Sequence, residues 1–399
     1  MSIKFLNKKS DANAIVITDG QVGIGGAVPY AAIKLIKELP TIDFSFTNSY
    51  SSAFSEFTNL QHAPNINRNS SATPVTSTDL MFNGCERLED VKLFDTSSVN
   101  NTYGMFQDCK KLKTLPNFNF SNAKVVYDMF SGCTSLETLE NIIMGAQFTS
   151  AQEMFKNCKK LKKLPANLDF SKCSSLSYLF YLCENLEDNL VLDVAACTNL
   201  SYAFTGCGKN TNIAITLANT NKVTNWASAF ISGTGNISPI PSMEAATSVA
   251  SMFSGNTNVV TLPISSIGKA TSVYCLCYNC TALTAFPEID TSLVTNFQRM
   301  CHNCSALVTV PVLNMVKATS SSSTTQMFED CPLLSDESLN NIMASLLTAT
   351  GKTSNKTLKN CGLSETQAQT CTTLSNYEAF TAAGWTTGYD SIDNPTEGA

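Results

Sequence analysis

The sequence predicts an α/β solenoid of about twelve coils of roughly 24 residues, built on short parallel strands, with a small hairpin and helix module in front and a helical cap behind. Three observations predict it. One phrase recurs along most of the 399 residues: an aromatic position, Cys three residues later, then Leu three residues further on, as in "MFQDCKKL", "MFSGCTSL" and "MFKNCKKL". The aromatic position falls at Phe54, Phe82, Phe106, Phe130, Phe155, Phe180, Phe204, Phe230, Phe253, Cys277, Cys301 and Phe328, at spacings of 28, 24, 24, 25, 25, 24, 26, 23, 24, 24 and 27. Nine of the 16 cysteines occupy the position three residues on: Cys85, Cys109, Cys133, Cys158, Cys183, Cys207, Cys280, Cys304 and Cys331. A unit this short cannot bury its apolar side alone, so neighbouring copies must stack.

Within a unit, the segment after the Cys alternates apolar and polar residues and closes on Pro, as in Leu112, Leu115 and Pro116 or Leu161, Leu164 and Pro165. That is the pattern of a short strand, and Pro ends it because it lacks a ladder donor. The stretches before the aromatic position, such as "TSSVNNTYG" and "FTSAQE", are rich in Ser, Thr and Asn. They predict a turn leading into a short helical or 3₁₀ segment. Parallel strands stack about 4.8 Å apart, so twelve such coils predict a rod of about 50 to 60 Å.

Period and phrase together resemble the BspA-type leucine-rich repeat over residues 50 to 334, which predicts a leucine-rich-repeat solenoid. Some copies depart from the pattern: Gly233 and Asn256 stand at the Cys position of the Phe230 and Phe253 copies, and Cys277 and Cys301 replace the aromatic residue. The resemblance implies a recognition rod or adhesin of the kind found in bacterial and protozoal surface proteins and in bacteriophage tail or fibre proteins.

The ends read differently, giving an expected division into residues 1–45, 46–334 and 335–399. Near the front, "AIVIT" and "QVGIG" flank Asp19-Gly20, a hairpin signal. Pro29 then opens "YAAIKLIKEL", where Ile33, Ile36 and Leu39 share one helical face. This module is expected to be a cap or an attachment to a larger particle. Near the back, Ser335 is a helix N-cap ahead of Leu339, Ile342, Met343, Leu346 and Leu347, with Gly351 as the stop; "SETQ" at 364 to 367 is a capping-box phrase, and Gly384 stops a further helix before Trp385. The phrase "AFTAAGWTTGY" resembles the tails of phage-encoded repeat proteins.

Composition bounds the function. Apolar residues make up 43% and charged residues 15%, so the chain has ample core material. A net charge of -6 gives no footprint for a polyphosphate, and nucleic acid is not expected as a partner. No apolar run has the length of a membrane span, and the first twenty residues lack a signal-peptide core, so neither membrane insertion nor general secretion is expected. The two histidines, His62 and His302, lie far apart in repeat register, which leaves little for a nucleophilic pair. Gly351-Lys352-Thr353 lacks the Gly of a phosphate loop, since position 346 is Leu. No enzyme activity and no cofactor are expected.

Cys277-x2-Cys280 and Cys301-x2-Cys304 carry zinc-site spacing. The same spacing follows from two adjacent repeats with Cys at both repeat positions, so the reading is buried reduced thiols, with a metal or a disulfide as alternatives. His302, beside Cys301, is expected to face water.

Residues beside the strand leucines are expected to line the concave face. Lys110, Lys111, Lys113, Lys159, Lys160, Lys162 and Lys163 are the candidate binding residues, and their neighbours carry Glu86, Glu89, Asp90, Glu137, Glu184, Glu187 and Asp188. Alternating charge reads either as cross-coil pairing on a solvated face or as a charged recognition strip. Residues 200 to 330 are nearly uncharged and rich in Ser, Thr and Asn, which suits glycan or peptide contacts. The expected function is a recognition or adhesion rod on a bacteriophage virion surface, a tail or head fibre, binding a host surface glycan or protein and touching other virion proteins through its N-terminal module. The alternatives are a cell-surface adhesin of a bacterium or protozoan, extracellular or on the cell surface, and a purely structural virion protein.

Overall fold

The computed structural model describes strands β1 (Ile3–Phe5), β2 (Ile15–Thr18) and β3 (Gln21–Ile24), then residues 34–39, 41–44, 47–67 and 73–393. They form two compact units: residues 1–188 with 207–211, and residues 189–206 with 212–399. In the first unit β2 and β3 pair antiparallel as the hairpin signal predicts, and β1 adds a third strand against β2 that the sequence did not signal. Asp19, Gly20 and residues 25–33 lie outside the described residues. The helix expected after Pro29 is not formed over residues 34–39. There the carbonyls of Lys34 and Lys37 accept hydrogen bonds from Asn59 and Gln61 of the following coil, leaving them unavailable to a helix of their own.

The repeats stack in register. Three parallel ladders recur. One joins residues five before the aromatic position, Ser77 to Asn101 to Val125 and Asn225 to Ser248 among them; another joins residues eight after it, as in Thr138 to Lys163 and Thr261 to Ala285 to Thr309. The latter is the strand expected after the Cys, reduced to single bridges. The third holds the longer pairs: β4 (Ile42–Asp43) with β5 (Ile66–Asn67), β6 (Asn119–Phe120) with β7 (Ile143–Met144), and β8 (Leu190–Asp193) with β9 (Ile215–Ala218).

No helix precedes the aromatic residue. The residues two before and two after each of the twelve positions have positive φ, as with Gly104 (52°) and Asp108 (58°) around Phe106, or Tyr178 (56°) and Leu182 (56°) around Phe180. Alternation of handedness splits the N–H groups. Gly104, Phe106 and Asp108 donate to Tyr127, Met129 and Ser131 of the next coil, whereas Met105, Gln107 and Cys109 donate back to Thr102, Gly104 and Phe106. A helix would turn every donor into its own segment, so the helical expectation fails where half the donors must reach a neighbour. Gly, Asn and Asp fill many of these positions because they tolerate left-handed backbone. At Gly132 an added Cβ would also lie 2.3 Å from Asp108 Oδ1. The Ser/Thr/Asn-rich approach serves the same turn: the side chains of Asn101, Asn199, Asn225 and Asn296 accept the N–H two residues on.

Inside each unit the aromatic residues form a column. Phe54, Phe82, Phe106, Phe130, Phe155 and Phe180 stack at centroid distances of 5.3 to 5.8 Å and interplanar angles of 3° to 19°, and Phe204, Phe230 and Phe253 stack at 5.3 and 5.5 Å. All are buried.

In the second unit four helices follow the repeats: α1 (Asp336–Leu347), α2 (Glu365–Cys371), α3 (Tyr377–Ala382) and α4 (Asp390–Asp393). Ser335 caps α1, and Leu339, Ile342, Met343 and Leu346 are buried along it. Leu347 is half-buried, and the helix ends there with Thr348 as its C-cap, four residues ahead of the expected stop at Gly351. Hydroxyls of this segment end the ladder: Ser338 Oγ, Ser345 Oγ and Thr348 Oγ1 accept from the N–H groups of Val310, Leu313 and Met315 at 2.9, 2.7 and 2.6 Å. Ser364 and Gln367 form the capping box of α2, and Gly384 at φ 79° follows α3 and turns buried Trp385 onto Phe380. Lys352 is buried, its Nζ donating to the carbonyls of Ser320 and Ser321 at 2.8 and 3.1 Å. Among the described residues no helix is long and apolar enough to cross a membrane.

Two substitutions test the column and the turn. Phe130→Ala lowers the stability of the first unit by about 3 to 5 kcal/mol, as cavity-forming aromatic truncations do. Leu182→Asn raises it by up to about 1 kcal/mol, because Asn accepts the left-handed backbone at lower cost. Urea unfolding of each variant against the parent measures both.

Candidate binding edge and thiol cluster

The edge following each Cys is where side chains leave the core for water. In the first unit the residues seven beyond the aromatic position run Glu89, Lys113, Glu137, Lys162, Glu187. They are linked through the backbone from Glu137 N–H to Lys113, from Lys162 to Glu137 and from Glu187 to Lys162, at 2.9, 2.9 and 3.0 Å. Their charges alternate coil by coil. Lys162 Nζ lies 3.2 Å from Glu187, Lys163 Nζ 2.9 Å from Asp188, and Lys110 Nζ 2.8 Å from Glu86. Three of the seven candidate lysines are therefore held in cross-coil ion pairs. Lys111, Lys113, Lys159 and Lys160 are exposed and carry no ion pair among the described residues. The seven do not converge: the Phe130 coil, bearing Glu137, stands between Lys110, Lys111 and Lys113 and the remaining four.

Further up the same edge His62 Nδ1 lies 2.5 Å from Asp90 Oδ2. The hydrogen bond with Asp90 raises the imidazole above its ordinary 6.5. Burial pushes the Asp90 carboxyl up, but its hydrogen bonds with His62 and Lys92 outweigh this and leave it below its ordinary value.

In the second unit the equivalent positions carry no charge. Val260, Thr284 and Val308 follow one another, with Thr284 N–H donating to Val260 at 3.1 Å and Val308 N–H to Thr284 at 2.9 Å. Val260 is 53% and Val308 40% exposed, and Val312 beyond them is 54% exposed. A groove of about 430 Å³ opens at Val260, lined also by Gly235, Ile237, Pro239, Asn258 and Pro263.

His302 does not face water. Its ring is 16% exposed and stacks on Tyr278 of the preceding coil at 4.9 Å and 13°. Its Nδ1 lies 3.1 Å from Glu329 Oε2, within ion-pair range but misaligned for a hydrogen bond. The position next to the aromatic site is outward, yet in-register stacking covers it with the equivalent residue of its neighbour. Glu329, Asp330, Lys359, Asn360 and Tyr389 line a second groove of about 820 Å³ nearby.

All 16 cysteines are free and buried. The repeat thiols share one job: Cys85, Cys109, Cys133, Cys158 and Cys183 donate S–H to the carbonyls of Phe54, Phe82, Phe106, Phe130 and Phe155 at 3.0 to 3.2 Å. Burial pushes these thiols well up, so they are protonated donors. Asn256 takes the same role by donating Nδ2–H to Phe230 and Thr234 carbonyls at 3.3 and 2.9 Å. The zinc-spaced tetrad divides. Cys277 Sγ lies 3.3 Å from Cys301 Sγ, and Cys304 joins them with all three sulfurs within 4.8 Å. Cys280 turns instead to the Phe253 carbonyl at 3.0 Å.

Residues 48–166, and again residues 149–266, match the family described as "Mycoplasma protein of unknown function, DUF285". The chain belongs to this family. Each match spans five successive aromatic positions, Phe54 to Phe155 and Phe155 to Phe253, so the DUF285 unit is a run of five coils. The Cys277 cluster lies beyond both. A leucine-rich repeat protein from Bacteroides ovatus ATCC 8483 is similar at 17% identity and a TM-score of 0.49, over 84% of this chain and 79% of that one. Another from Eubacterium ventriosum ATCC 27560 is similar at 16% and 0.40, over 84% and 90%. No curated protein matches.

Two measurements test the edge. Lys162→Glu sets like charges beside Glu137 and Glu187 and lowers stability by about 0.5 to 1 kcal/mol at low ionic strength, an effect that added salt diminishes. In an NMR titration His62 has its midpoint above 6.5, and Asp90→Asn returns it toward that value. Because the His62 value is raised and the Asp90 value lowered, the stabilisation from this pair is complete between pH 3.8 and 6.5, is lost as pH rises through the His62 midpoint and is lost again as pH falls through the Asp90 midpoint.

Proposed function

We propose that this DUF285 chain is a non-catalytic recognition protein whose uncharged second-unit edge binds a host surface glycan or protein. The observation that carries the reading is the exposed column of Val260, Thr284 and Val308, with the 430 Å³ groove opening at Val260. Exposed apolar and hydroxyl side chains held rigidly by a backbone ladder offer contact area at low ordering cost. In the first unit the equivalent positions are charged with alternating sign, and Lys162 and Glu187 close an ion pair, which supports a solvated face there. The setting proposed is a bacteriophage virion surface, as a tail or head fibre, supported by the likeness of the C-terminal phrase to phage-encoded repeat proteins. A second reading, a surface protein of a bacterium, is favoured by the family's Mycoplasma label.

Binding of the fluorescently labelled full chain to intact bacterial cells tests the recognition reading. Val260→Asp with Val308→Asp lowers binding at least tenfold, and Lys111→Glu with Lys160→Glu leaves it within twofold. Equal loss from both pairs overturns the assignment to the second-unit edge, and no binding by the parent overturns the recognition reading. Quantitative mass spectrometry of purified particles and of cell envelopes from the producing culture decides the setting: enrichment in particles supports the virion, enrichment in envelopes the bacterial surface.

A further inference from the structure

We propose that Cys277, Cys301 and Cys304 form a site for one thiophilic d10 metal ion, bound through three thiolates. The site is independent of the binding edge.

The site arises from a local break in the repeat. Elsewhere in the stacks the aromatic position gives a ring column, worth about 0.5 to 1.5 kcal/mol per pair beyond burial. At Cys277 and Cys301 two consecutive coils give up the ring and place a thiol there, directly inside the ladder of Cys-position thiols. Cys304, which belongs to that ladder, donates to the Cys277 carbonyl at 3.0 Å and thereby sits against both. The result is the one group of three potential metal ligands in mutual reach among the described residues. Its members are fully buried.

Geometry favours an ion over a disulfide. The coils are locked in register on both sides of the pair, by Cys277 N–H to Met300 at 2.9 Å and Asn279 N–H to His302 at 2.8 Å. A disulfide asks for Cβ atoms about 3.8 Å apart, whereas parallel coils stack about 4.8 Å apart. Sulfurs bonded to one ion at about 2.3 Å stand about 3.8 to 4 Å from each other, which falls between the 3.3 Å of Cys277 to Cys301 and the 4.8 Å limit of the trio.

The donor set selects the ion. Three sulfurs without imidazole or carboxylate favour copper(I) or zinc(II) over hard cations. Each thiol that coordinates releases its proton to solvent, no electron is transferred, and the site assembles as these coils stack.

The test is metal content per chain after expression with added zinc(II) or copper(I), followed by exhaustive dialysis with a phosphine reductant. About one ion per chain in either arm, with a thiolate-to-metal band in the near ultraviolet, is the expected result, and the arm that retains metal names the ion. Cys301→Phe, which restores a ring at that coil, and Cys304→Ser, which keeps a donor, each reduce the content at least tenfold. Cys158→Ser, in a coil of the first unit, leaves it unchanged. Retention of less than a tenth of an ion in both arms, retention by Cys301→Phe or Cys304→Ser equal to that of the parent, or a Cys277–Cys301 disulfide in peptide maps of the parent overturns the proposal.

Discussion

The hydrogen bonds that residues around each aromatic position give to the following coil are the constraint on which the structure depends. Every second N–H must leave its own turn and meet a carbonyl one repeat away, and only a backbone that alternates handedness aims it there. Once that register holds, equivalent side chains of successive coils have no choice but to stack. The phenylalanine columns, the thiol ladder and the outer pair of Tyr278 and His302 are consequences of one backbone arrangement.

The same constraint explains why cysteine fills the core. Each carbonyl at the aromatic position already accepts an N–H within its own turn, and its second lone pair faces a dry interior. A thiol is small enough for the column and supplies a weak donor to that lone pair, which Val or Ala would leave unmet. Asn256 shows that the donor matters more than the sulfur, since an amide reaches the same carbonyl of Phe230. Where the ladder stops, the hydroxyls of Ser338, Ser345 and Thr348 accept from N–H groups that a further coil would otherwise satisfy.

Stacking also governs what the outer edge can do. Like positions recur one coil apart, so any charge meets whatever its neighbour carries. In the first unit that is a partner of opposite sign, and Lys110, Lys162 and Lys163 are consumed in pairing. In the second unit the edge is valine and hydroxyl, with nothing to neutralise, and Val260, Thr284 and Val308 stay exposed to water.

The period, the phrase and the placement of Phe, Cys and Leu in a common interior were legible in the sequence, because a repeat that buries one side writes that side out many times. So were Ser335 and Ser364 as caps, since capping is local chemistry. The left-handed turn was written there too, in Gly, Asn and Asp two residues either side of the aromatic position, but Leu80, Tyr178 and Leu182 obscured it. The helix expected near residue 36, the outward His302 and the fourfold cysteine set depended on which atoms a neighbouring coil brings within reach, and spacing carries no record of that. Sequence alone determined that the chain must stack, because the unit is too small to bury its own apolar side. Tertiary structure alone decided which lysines are neutralised and which three thiols meet, because distances between coils are set by the backbone ladder and not by position along the chain.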